Sequence, residues 1–125
     1  MRSNETPKVF HVLSSVSKGG MELFPVMLAK AQIASKIHAS LVAHESGFVL
    51  KLARESHVPV FGIKGQGSLF RRLFELSGPC TVFHVHYPKD LFVASLVRRL
   101  KPQVRLVFTK HSASKGTKTD PYHRF

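Results

Sequence analysis

The chain has 125 residues, 43% of them hydrophobic, and a formal charge of +12 from 19 Lys and Arg against 7 Asp and Glu. That length suits one domain with a real core, and that hydrophobic share excludes a disordered chain. The positive field argues against cationic partners and favours anionic ones: nucleic acid, a phospholipid surface or a phosphorylated substrate.

Residues 1–7 are polar and read as a disordered lead. They carry no apolar stretch of the kind that begins a secretory signal. Val9–Leu13 reads as a buried strand. Met21–Ser35 is a helix with Leu23, Met27, Leu28, Ala31 and Ala34 at helical spacing, and Pro25 lies near its start, where a helix tolerates proline if it sits in the first turn. Ala39–Ala43 is the second strand. Phe48–Ser56 is a helix with Phe48, Leu52 and Ala53 inward. Val60–Ile63 is a short third strand, and Ser68–Leu76 a helix with Leu69, Phe70, Leu73 and Leu76 on one side. Arg71, Arg72 and Glu75 take the solvated side. Ser77–Pro79 breaks that helix. Thr81–Val85 is the fourth strand, Lys89–Leu100 a helix stopped by Pro102, and Val104–Thr109 the fifth strand. The rest, KHSASKGTKTDPYHRF, has no apolar periodicity and reads as loop.

Strands that are apolar runs, rather than alternations, are buried on both faces, as in a parallel sheet covered by helices. The expected fold class is therefore α/β: a Rossmann-like three-layer unit with a parallel sheet in strand order 3-2-1-4-5. It spans residues 8–125. No apolar run reaches the ~20 residues that span a bilayer. The single cysteine, Cys80, allows no internal disulfide and suits a reducing, cytoplasmic setting; with no base in reach it reads as structural.

In such sheets ligands bind beyond the carboxyl ends of the strands, between strands one and four. Three unusual stretches fall there: SSVSKGG, HVHYPKD and TKHSASKGT. Gly19 and Gly20 allow a sharp turn and close approach to the backbone, the following helix offers unpaired N–H groups, and Lys18 adds a cation. The bland alternative is a tight turn with no ligand. The pattern is neither G-x-G-x-x-G nor a Walker loop, which disfavours a dinucleotide or ATP cradle.

HVLSSVSKGGMELF after strand one, VFHVHYP at the end of strand four and LVFTKH at strand five together resemble the N-terminal half of a family-4 (group 1) glycosyltransferase of GT-B fold. The resemblance runs from Lys8 to about Phe125. It implies that Gly19, Gly20 and Lys18 lie by the donor diphosphate, Glu22, His86 and Lys110 near the acceptor, and His111 close to the transferred sugar. It implies a retaining transfer from a nucleotide-sugar to a glycan or lipid-linked acceptor, such as a lipopolysaccharide or glycolipid, without a metal or other cofactor. The closing KTDPYHRF resembles the basic start of a further helix. The resemblance also implies that the domain of residues 8–125 is incomplete at its C-terminus and that a second, donor-binding domain is a missing partner, so this chain alone is expected to bind donor weakly or not at all and not to turn over. The charge would hold such a protein on an anionic membrane face as a peripheral protein.

His84 and His86 share a strand face, and His84 is expected to be a satisfied core residue. A zinc site from His84, His86 and His111 is the weaker reading, because no Cys or carboxylate stands at ligand spacing with them. Lys110, Lys115 and Lys118 read either as a solvated basic loop or as cations that hold a phosphate or lipid head group. Two rival functions are a non-catalytic Rossmann domain that pairs with itself or a partner and, with less support, a basic nucleic-acid module. The sequence carries no helix-turn-helix signature and no aromatic-basic ribonucleoprotein pattern.

Overall fold

The computed structural model describes residues 7–14, 20–109 and 122–124, without the side chains of residues 20–22 and 122–124. The elements are β1 (Lys8–Leu13), α1 (Gly20–Ala34), β2 (His38–His44), α2 (Phe48–Glu55), β3 (Val60–Ile63), α3 (Gln66–Leu76), β4 (Thr81–Val85), α4 (Pro88–Leu100), β5 (Arg105–Thr109) and β6 (Tyr122–Arg124). They form one sheet in the order β3-β2-β1-β4-β5-β6. Strands β1 to β5 run parallel, in the 3-2-1-4-5 order expected of a Rossmann-like unit.

Period-two alternation on β1 feeds two cores, one on each side of the sheet. Phe10 and Val12 pack with Phe83, Val85, Leu69, Leu73, Val93 and Val97 beneath α3 and α4. Leu13 points to the other face, into a cluster with Leu41, Ala43, Val26, Ala29, Val49 and Ala53 beneath α1 and α2. Each fully buried Val, Leu or Phe contributes roughly 1.5–3 kcal/mol. His11 lies on that second face, 0% exposed, where an apolar residue would be the default.

Helix α1 departs from expectation in two ways. It begins at Gly20, which puts Pro25 in its second turn, past the first turn in which proline is tolerated. There the ring removes one helical hydrogen bond and crowds the preceding turn, at a cost of about 3 kcal/mol. The inward stripe is Pro25, Val26 and Ala29, whereas Leu23 and Met27 are 44% and 55% exposed. The stripe continues to Gln32, whose side chain bonds His11 and so helps set which face turns inward. Helix α2 is likewise rotated by one position: Val49, Leu50 and Ala53 are buried, and Leu52 packs at the margin of the core.

Both helices close in the same way. Lys36 (φ 67°) and His57 (φ 61°) adopt the left-handed conformation. Around them Ile37 N–H donates to Gln32 O and Lys36 N–H to Ile33 O, while Val58 N–H donates to Ala53 O and His57 N–H to Arg54 O. These paired bonds satisfy carbonyls that the helix end would otherwise strand.

The tail corrects a second expectation. Tyr122–Arg124 is neither loop nor the start of a helix but a strand, antiparallel to β5 through Val107↔Arg124, Phe108↔His123 and Thr109↔Tyr122. An open edge of β5 would present a row of unpaired backbone groups, and β6 supplies their partners.

Candidate functional site

The strand ends at the switch point between β1 and β4 are tied by one buried carboxylate. Asp90 sits in the first turn of α4, where Pro88 occupies the opening position that suits proline. Its side chain is 0% exposed. Ser14, the residue after β1, donates its backbone N–H to Asp90 Oδ2 at 2.8 Å and its hydroxyl to Oδ1 at 2.6 Å. Gln66, opening α3, donates Nε2–H to Oδ1 at 3.2 Å and to Ser14 Oγ at 3.3 Å. Burial pushes the Asp90 carboxyl above its usual range, while the bonds from Ser14 and Gln66 and the nearby Lys89 cation pull it back. The positive end of the α4 dipole also favours a negative charge there. The arrangement anchors the start of the segment after β1 to α3 and α4.

The second polar group lies one strand face away. His11 on β1 is in register with His84 on β4, and His86 follows just past the end of β4. His11 Nε2–H donates to Gln32 Oε1 at 2.7 Å. That leaves His11 Nδ1 as an acceptor, and His86 Nε2–H donates to it at 3.0 Å. The His84 and His86 rings stack with centroids 4.1 Å apart, and His84 Nε2 shares a 2.6 Å hydrogen bond with Thr109 Oγ1. The edge of Phe24 closes over His86 at 5.8 Å. Burial holds the His11 pKa below its ordinary value, against the opposing bond to Gln32. The network therefore favours a neutral imidazole at His11.

Of the residues singled out in the sequence, His86 is brought to the switch point and is fully buried. Its backbone N–H donates to Val12 O at 3.1 Å, extending the β1–β4 pairing. Gly20 opens α1, and the backbone of Glu22 follows within its first turn, so both fall beside the end of β1. Lys18 and Gly19, and Lys110, His111, Lys115 and Lys118, lie outside the described residues, as do residues 1–6 of the polar lead. The zinc reading of His84, His86 and His111 includes a residue outside the described ones; among the described residues, His11 stands beside His84 and His86. His84 has a hydrogen-bonding partner, as a satisfied residue should, but is only partly buried. Arg71 and Arg72 pair with Glu75 on the outer face of α3.

Asp90, Ser14, Gln66 and His11 were not legible as site residues. Asp90 and Ser14 are 76 positions apart, so no local spacing connects them. His11 is embedded in the run VFHVL and reads as part of a strand. The one available signal was the fold itself, which makes β1 and β4 neighbours.

An open depression of about 600 Å³, lined in part by Lys8, Phe10, Gly78, Cys80 and Thr81, lies at the opposite edge of the sheet. In open α/β sheets that is not the edge that receives ligands. No helix among the described residues is long and apolar enough to cross a membrane.

No protein-family model and no curated protein matches the chain. A solved structure does: Anabaena Alr3699/HepE in complex with UDP, with a TM-score of 0.67 and 20% identity. The likeness is one of fold. It covers 81% of this chain and 28% of that protein, so the present chain spans well under half of its structural neighbour.

Proposed function

We propose that this chain is the acceptor-side domain of a retaining glycosyltransferase of the family-4 kind. It would serve transfer of sugar from a nucleotide-sugar to a glycan or lipid-linked acceptor. The observation that carries the reading is the fold likeness to a protein held in complex with UDP. The Gly19–Gly20-x-Glu22 segment after β1 and the His111 that follows β5 support it from the sequence. In this reading Lys18 and the Gly19 and Gly20 amides face the donor diphosphate. Glu22 and Lys110 face the acceptor, and His111 orients the transferred sugar. His86 forms the floor beneath the acceptor, where its burial makes it a support rather than a contact. Charge grows on the leaving diphosphate in the transition state, and preorganised amides and a cation stabilise it without reorganising. The protein would act in the cytoplasm, on an anionic membrane surface that its +12 charge attracts.

The test uses the complete gene product that contains this chain, supplied with nucleotide-sugars and lipid-linked acceptors. It should release nucleoside diphosphate in an acceptor-dependent way. His111→Ala should lower turnover by roughly 100-fold, the scale on which loss of one positioning contact acts. Release that His111→Ala leaves unchanged, or no release with any nucleotide-sugar, would count against the reading.

A further inference from the structure

We propose that His11, His84 and His86 form a three-histidine site for a zinc-class divalent cation, with a fourth position left for water. Each ring offers a nitrogen, and the three nitrogens all lie within 4.8 Å of one another. Tetrahedral zinc with Zn–N bonds of about 2.05 Å places its ligand nitrogens about 3.3 Å apart. His11 Nδ1 and His86 Nε2 stand at 3.0 Å, near that spacing; binding would replace the proton between them, leave His86 as its Nδ1–H tautomer and turn both rings towards the ion. The remaining contraction falls to half-buried His84, whose ring would have to turn out of its stack with His86 while its Nε2 stays on Thr109.

The surroundings suit the chemistry. A metal takes the neutral imidazole, and metal-binding histidines commonly donate their other ring N–H to an oxygen that fixes the tautomer. Gln32 Oε1 does this for His11. Thr109 Oγ1 is the corresponding oxygen at His84. His84 and His86 are two apart on one strand, and His11 is the register partner of His84 on the next. The three ligands therefore come from a rigid two-strand frame. Imidazole nitrogens select zinc, copper or nickel over magnesium or calcium. The bound ion would cross-link β1 to β4 at the switch point, and this inference stands independently of the transferase reading.

The experiment titrates zinc chloride alone into the whole chain and follows binding by calorimetry and the histidine ring nitrogens by NMR. One equivalent should bind, and the His11 and His86 ring signals should shift. His84→Asn, a change at the half-exposed ligand, should weaken binding by at least about 100-fold. Gln32→Leu, which removes the positioning oxygen, should weaken it about tenfold with the fold retained by circular dichroism. The proposal is overturned if His84→Asn binds zinc as tightly as the parent. It is equally overturned if zinc moves only the rings of other histidines, such as His38, His44 and His57, or binds nowhere.

Discussion

Asp90 holds three donors at once, and that sets what its loss should do. Removing the carboxylate strands the Ser14 N–H and the Gln66 amide in a buried site. Asp90→Ala should therefore destabilise the fold by about 2–3 kcal/mol, read from urea unfolding. A change below about 0.5 kcal/mol, as at an ordinary surface position, would mean that these donors are satisfied by water. His11 gives a pH signature. Its folded pKa lies below the ordinary 6.5, so the unfolded chain takes up the proton first. Its contribution is intact above about pH 6.5 and is lost as pH falls from there towards the lowered folded value. Asp90 works in the opposite sense, because its folded pKa is raised above 3.8. Over the window from 3.8 up to that raised value, acid protonates the folded state first and favours it. His11→Gln should accordingly flatten the loss of stability just below pH 6.5, whereas a slope identical to the parent's would assign that loss to other groups.

Helices and strands were the most legible scale. The runs at residues 39–43, 60–63, 81–85 and 104–109 are short, apolar and bounded by turn residues, and each lies in or beside an observed strand. Where the reading failed, a tertiary contact had overridden the local pattern. The inward face of α1 follows Val26, Ala29 and the Gln32–His11 bond rather than Leu23 and Met27. Strand β6 exists because β5 has an edge to cover, and nothing in PYHRF announces a strand by itself. The left-handed helix ends offer a direct test. A side chain in that conformation is strained by roughly 1–2 kcal/mol, part of which glycine returns through the entropy of its unfolded chain. Lys36→Gly and His57→Gly should each raise stability by up to about 1 kcal/mol, measured by thermal unfolding. A decrease at either would show that the side chain makes a contact outweighing the strain.

At the scale of the whole molecule, topology joins what the sequence keeps apart. Parallel order 3-2-1-4-5 makes β1 and β4 neighbours. Ser14, Gln66 and Asp90, and separately His11, His84 and His86, thereby meet at or near the carboxyl ends of those strands. The candidate donor loop begins immediately after Ser14, so the carboxylate network fixes the point from which that loop departs. Helix α4 also leaves Phe92, Leu96 and Leu100 70%, 39% and 61% exposed, one apolar stripe at helical spacing on its outer side. The most direct test of the central claim is an amide NMR titration of this chain with millimolar UDP. Weak binding should move the amides of Ser14, Gly20, Tyr87, Lys89 and Asp90, leaving Cys80 and Thr81 at the opposite edge in place. Shifts confined to the edge around Cys80 would contradict a diphosphate-binding role for this end of the sheet.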